Sequence, residues 1–369
     1  MFGAVGTWLF EGAASIALFV LLIPVFIAPF FAVVYRQYRY APPGPVALAA
    51  FTGLYLCSLV AFTTFPLPDS PQEFCGERAT TDYWQTKLGD SLSGVLELLR
   101  DGGVAATLTS GAFLQVAFNV LFFVPLGFLV AYRMRRGAGS AIVAGLAVSL
   151  LIEVSQGTGL WGIYPCPYRL ADVDDLIANT LGALLGWALG ALIARRWPFR
   201  DPPPRKDLAA PTVRRRLLAT GIDLSVVAVL ALAVDIGVIV VEEWRGADAQ
   251  SIKAAYVVVQ YCVALTLLVA LPLLRRDRAT PGQLTVLLAV SSRDGGRAPA
   301  WSILVRFIVR WLPILIWGTA AFLAVVALEL LTVWVRGDRR SLSGALARTT
   351  TDTQDGQLSP PRVVATDGQ

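Results

Sequence analysis

A glutamate inside one apolar run, SLLIEVSQGTG, and three aspartates opening another, YRLADVDDLIANTLG, are the residues of this sequence best suited to chemistry. Two carboxylates brought together, here Glu153 and Asp175, can act as general acid and base, or hold a proton or a cation. A charged side chain in lipid persists only where a partner or a wet cavity offsets its desolvation. The expected partner of Glu153 is Arg169, which precedes the aspartates. Asn119 in FNVLFFVPLGFLV, Gln156 three residues after Glu153, and Asn179 one turn after Asp175 add hydrogen-bonding groups. The eight residues Asn119, Glu153, Gln156, Arg169, Asp172, Asp174, Asp175 and Asn179 are expected to line one outward-facing polar pocket. Asp172 and Asp174 also have a simpler reading. Carboxylates ahead of an apolar helix cap its free N–H groups and face the positive end of its dipole.

Other chemistries find less support. The chain has no histidine, and its four cysteines form no CxxC pair, which disfavours imidazole catalysis and a zinc site. No nucleophile motif, metal-ligand spacing or phosphate loop is evident, so no cofactor is expected and an intramembrane enzyme acting on a lipid-linked substrate ranks last. Cys75 and Cys166 both fall in loops expected outside the cell, where oxidation permits a bridge if the two approach. Cys57 and Cys262 fall within apolar runs.

The elements positioning these groups follow from composition. With 56% hydrophobic and only 15% charged residues, the chain is shifted toward membrane composition. A span needs about 20 apolar residues to cross a core of about 30 Å. Eight candidates run approximately over 7–35, 46–65, 108–132, 140–160, 176–194, 217–241, 254–274 and 312–335. The first is too long for a cleaved signal peptide and is read as a span, kinked at Pro24 and Pro29. The fold class is therefore an all-α, polytopic transmembrane bundle of about eight spans in two modules, five plus three.

Arginines alternate between loops. Arg36 and Arg39, then Arg133, Arg135 and Arg136, then a run from Arg195 to Arg216, then Arg275, Arg276 and Arg278 follow the odd-numbered spans. The intervening loops carry Asp69, Glu73, Glu77 and Asp82, the three aspartates, and Glu242 and Glu243. Basic loops stay inside, so the N-terminus is expected outside. The net charge of +5 then reflects topology and anionic lipid contacts rather than nucleic acid. Eight spans would leave Arg336, Arg339, Arg340 and Arg348 outside, against the rule. Either the last apolar region folds back near Pro313 and Gly318, or the rule fails there. Glu329 within that region favours an unusual path.

The segment RRWPFRDPPPRKDLAAPTVRRR divides the chain. Its prolines favour an extended conformation and its charges forbid burial. The expected organisation is a five-span module over 1–194, a linker over 195–216, a three-span module over 217–345 and a disordered polar tail over 346–369.

Residues 46–194 resemble the VanZ-like family. The resemblance rests on Asn119 followed by Pro125, Leu126 and Gly127, on Glu153 with Gln156, and on Arg169, Asp172, Asp174, Asp175, Asn179 and Gly182. It also takes in Tyr55 and the threonine-rich end of span 2 before Pro66. It implies a multi-pass envelope protein of the cell membrane, associated with antibiotic resistance to glycopeptides such as teicoplanin. The implied partners are membrane lipids and an amphiphilic glycopeptide or lipid-linked envelope component. Read alone, the ridge of Gly182, Gly186 and Gly190 is a close-packing surface.

Residues 209–349 resemble the RDD family. Arg216, Ala219 and Asp223 open the match, and Thr280, Pro281, Gly282, a strand-like run, Asp294 and Gly295 continue it. The closing motif departs: GALART places Gly344 where the family has an aspartate. The resemblance implies a loose transport or ion-exchange association; read from the residues, a transporter would use Glu153, Asp223 or Asp235 as ion or proton sites. Asp223 lies two turns from Arg216, too far for a direct ion pair, and needs a partner from another segment. Arg306 and Arg310 fall on WSILVRFIVR, read as an amphipathic interfacial stretch.

Overall fold

The computed structural model describes residues 4–67, 70–76, 83–206, 211–245, 249–336 and 340–354. The acidic residues Asp69, Glu77 and Asp82, Arg339, and the tail from 355 lie outside them. Among the described residues, eight helical stretches are long and apolar enough to cross a membrane. Their outward side chains are apolar, as with Leu21, Val143, Leu151, Leu232 and Val258, where a water-facing surface would carry charge. Contacts group the chain into two units, residues 1–19 with 47–201, and residues 20–46 with 202–369.

The first unit contains the start of helix α1 (Ala4–Tyr38), most of α2 (Pro43–Thr64), short α3 (Pro71–Gly76), α4 (Asp90–Leu108), α5 (Gly111–Tyr132), α6 (Ala138–Gly157) and α7 (Val173–Arg196). A two-residue strand β1 (Trp84–Gln85) pairs in parallel with β2 (Ala171–Asp172). The tightest seam joins α5 and α7. A Cβ built on Gly182 would lie 2.1 Å from the Val120 carbonyl oxygen, and one on Gly186 would lie 2.0 Å from that of Val124. Gly127 faces the Ala183 carbonyl in the same way. Small residues let the two backbones touch, and dispersion over that surface holds helices together where lipid supplies no hydrophobic drive. Tyr55, Leu59, Phe123, Leu129 and Ala183 form the core beside this seam. Helix α4, unanticipated from sequence, has too many polar residues for a span. It breaks at Gly103, whose φ of 76° is open to glycine.

The second unit contains α8 (Val213–Arg245), α9 (Ala249–Leu265) running through a π-helical turn at Thr266–Ala270 into α10 (Leu271–Leu274), and α11 (Pro281–Thr285). After these come strand β3 (Leu288–Ser292), α12 (Ala300–Arg310), α13 (Leu312–Val335), α14 (Leu342–Leu346) and β4 (Thr349–Thr353). Residues 20–46 group here, although the sequence reading placed all of the first span in the N-terminal module. Tyr35 explains the difference. It packs with Ala219, Ile222, Val286 and Leu288, and the Arg215 guanidinium lies over its ring at 5.4 Å.

Two sequence expectations are corrected in this unit. The tail expected to be disordered from 346 instead begins with β4, which pairs antiparallel with β3 from Leu288↔Thr353 to Ser292↔Thr349. Its threonines are polar but β-branched, and β3 offers them an edge. The last apolar region begins earlier than expected, with a spanning-length stretch over Ala300–Gly318. Gly318, at φ 65° and ψ −140°, breaks α13. A shorter apolar helix, Leu323–Val335, follows the break. Arg310 and Ile314 of the first arm line one cavity with Val325, Glu329 and Val333 of the second, so the region folds back on itself.

The antiparallel strands flank this hairpin directly, β3 before it and β4 after it. Both ends therefore meet on one side, that of Arg275, Arg276 and Arg278. The basic residues Arg336, Arg340 and Arg348 then obey the charge rule. In intact cells expressing a variant with Cys57 and Cys262 replaced by alanine, a cysteine at Gln250 is expected to react with an impermeant thiol reagent. A cysteine at Thr353 is expected to stay unlabelled until the membrane is opened. Labelling at Thr353 from outside would refute the hairpin.

Candidate functional site

The buried acidic group of the first unit sits where α6 ends and α7 begins. Glu153 lies on the last turns of α6 and is 5% exposed. Its Oε2 accepts the backbone N–H of Asp172 at 2.9 Å. That amide stands at the start of α7, where N–H groups lack intrahelical acceptors, so an anionic acceptor is favoured. The expected pairing of Glu153 with Arg169 does not form. Arg169 instead donates to the carbonyls of Phe62, at 3.0 Å, and Phe65, and its Nη2 lies 3.4 Å from Glu11. The cause is the end of α2, whose last carbonyls have no intrahelical donor and attract a guanidinium.

The three aspartates divide their roles. Asp172 is the N-cap of α7, accepting from Asp174 N–H at 2.8 Å, and it also accepts from the Ser91 hydroxyl at 3.1 Å. Asp174 caps a different helix. It accepts from the amides of Gly89 at 2.7 Å and Ser91 at 2.9 Å, at the start of α4. Asp175 stands in the first turn of α7. It lies beside Glu153 and Asn119. Asn179, one turn on, donates to the fully buried Ser149 hydroxyl at 2.9 Å.

Asn179 Oδ1 is buried without a hydrogen-bond partner, and the Asn119 amide is turned to the Asp175 carboxylate. Gln156 points elsewhere, donating to the Thr63 carbonyl at 3.0 Å. Tyr168 donates to the neighbouring Thr64 carbonyl at 2.9 Å, and burial raises its phenol above the usual tyrosine range. Glu153, Asp172, Asp175, Asn119 and Asn179 thus come together, whereas Arg169, Asp174 and Gln156 fasten the surrounding frame. A disulfide between Cys75 and Cys166, with Cα atoms 5.8 Å apart, ties α3 to the loop before β2.

Sequence reasoning missed Glu11, Ser149 and Ser91. Glu11 carried the same signal as Glu153, a carboxylate in an apolar run. Ser149 carried none, because a small hydroxyl in a membrane helix is satisfied by its own backbone as readily as by a neighbour.

In the second unit Asp223 is 2% exposed and finds its partner on another segment, as expected. It accepts from the Thr280 hydroxyl at 2.7 Å and from Gly282 N–H at 2.6 Å, at the start of α11. Thr280 also forms a capping box with Gln283. Gly282 must be glycine there, since a Cβ would lie 1.9 Å from the Ala219 carbonyl oxygen. Arg215 donates to the carbonyls of Val286 at 2.8 Å and Leu287 at 2.9 Å. The interfacial reading of 301–310 is reversed in orientation: Arg306 is buried, while Trp301, Leu304 and Ile308 face outward. The polar face of α12 packs on protein, leaving the apolar face for lipid. Arg216, Asp223, Arg306, Arg310 and Glu329 border a cavity of about 40 Å³.

Spanning-length apolar helices with lipid-type surfaces define a multi-pass helical membrane protein. Residues 52–194 match the VanZ/LLP1 family and residues 210–347 match the RDD family, so the chain is a fusion of a VanZ-like region and an RDD-family region. No curated protein and no solved structure matches it.

Proposed function

We propose that the VanZ-like unit binds an amphiphilic component at the outer face of the cell membrane, either a lipid-linked envelope molecule or a lipidated glycopeptide, and thereby raises tolerance to teicoplanin-type drugs. The observation that carries this reading is the unpartnered buried Asn179 Oδ1 beside the carboxylates of Glu153 and Asp175. An unmade buried hydrogen bond costs roughly 1–3 kcal/mol, so a ligand group supplying a donor would recover that cost. The role proposed is binding rather than catalysis: the Ser149 hydroxyl is engaged by Asn179 and the Ser91 hydroxyl by Asp172.

A second reading, ion or proton transport through the RDD-family unit, is favoured by Asp235, whose Oδ1 is buried in α8 without a hydrogen-bond partner. Drug susceptibility separates the two. Deleting the gene is expected to lower the inhibitory concentration of a lipidated glycopeptide several-fold and to leave that of a non-lipidated one nearly unchanged. Unchanged susceptibility to both drugs, with altered growth at extreme pH or sodium, would favour transport instead.

A further inference from the structure

We propose that the cavity of the second unit binds a halide-sized monovalent anion, held by Arg306 and Arg310. Arg306 is 9% exposed, and among the described residues its one hydrogen bond goes to the Thr349 hydroxyl at 3.0 Å. No described carboxylate oxygen comes within ion-pair distance of it. A guanidinium presents five N–H donors in a fixed fork, so most of those on Arg306 are left for another acceptor. Arg310 donates to the Thr220 hydroxyl and faces the Trp311 ring at 5.5 Å, again without a close carboxylate. A buried cation without a close acceptor is costly.

The neighbouring acids are committed elsewhere. Glu329 accepts the Ser343 amide at 2.9 Å, Asp223 is held by Thr280 and Gly282, and Asp352 lies toward Arg216. Their charges keep the surroundings close to neutral without filling the guanidinium forks. The space is small. The main cavity of about 40 Å³ and a second of about 20 Å³ are both bordered by Arg306, Arg310 and Gln283. A water needs about 10–15 Å³ of such space, so the larger cavity has room for about three waters, or one halide with a water.

Gly344 stands beside the Arg306 guanidinium without bordering either cavity. A Cβ built there would lie 3.4 Å from Arg306 Nη1, 3.3 Å from Ser341 Oγ and 3.2 Å from the Thr349 carbonyl oxygen. A carboxylate on that residue would reach the guanidinium as a tethered anion. With glycine there, α14 offers Arg306 no carboxylate.

The test uses the purified full chain in lipid-free detergent, with thermal unfolding followed by tryptophan fluorescence. Chloride replaces gluconate at constant ionic strength. The wild-type chain is expected to show a saturable upward shift in Tm with chloride, as binding to the folded state requires. Gly344→Asp is expected to raise Tm in gluconate and to abolish the chloride shift, whereas Gly344→Asn keeps it. A parallel series adds phosphatidylglycerol in gluconate. Stabilisation by that lipid without any response to chloride would assign the site to a headgroup phosphate and overturn the proposal. An absent chloride shift in the wild-type chain, or an undiminished one in Gly344→Asp, would also overturn it.

Discussion

Gly186→Ala is expected to remove most of the folded protein from the membrane, although it adds a single methyl group. That methyl would lie 2.0 Å from the Val124 carbonyl oxygen and 2.7 Å from its carbon, both backbone atoms that cannot rotate away. Helices α5 and α7 would have to separate along a seam that Gly127 and Gly182 keep equally close. Overpacking a well-fitted interior costs about 1–3 kcal/mol, and a rigid backbone contact falls at the upper end or beyond. Against it stands only the helix propensity gained by replacing glycine, roughly 1 kcal/mol. Gly139→Ala is the matched control, because a Cβ there meets nothing within 4 Å. Its membrane level and Tm should equal or slightly exceed those of the parent. Equal stability of the two variants would show that α5 and α7 are not in backbone contact.

What the sequence made legible follows physical range. Spans and the glycine ridge are written in local periodicity, so Gly182, Gly186 and Gly190 could be read as a packing surface before any partner was known. The N-cap role of Asp172 is equally local. Partner choice is not. Asp174 caps a helix that begins at Asp90, far back in the chain, and Arg169 turned from Glu153 to carbonyls at the end of α2. In both cases the deciding group was a backbone amide or carbonyl, which any residue can supply and no residue type announces. The closing hairpin was partly legible: Gly318 and the misplaced arginines raised it as one of two alternatives. The pairing of β4 with β3 selects it. A threonine run reads as solvated until a neighbouring strand is known to receive it.

Glu153→Gln is expected to abolish the protective effect while leaving the fold in place. Glutamine keeps a side-chain oxygen able to accept the Asp172 amide, the bond that Glu153 makes at 2.9 Å, and it fills the same space. Only the negative charge is lost, together with its interaction with Asp175 and Asp172 across the cluster. Asp175→Asn removes the neighbouring charge in the same conservative way. Asp172→Asn is the contrasting change, because asparagine caps a helix about as well as aspartate and still accepts from Ser91. The most direct measurement is the inhibitory concentration of a lipidated glycopeptide in a deletion strain complemented with each variant at matched membrane level. The expected result is that Glu153→Gln and Asp175→Asn fall to the value of the empty strain while Asp172→Asn stays near that of the parent. Full protection by Glu153→Gln at normal membrane level would contradict a charge-dependent binding site in the first unit.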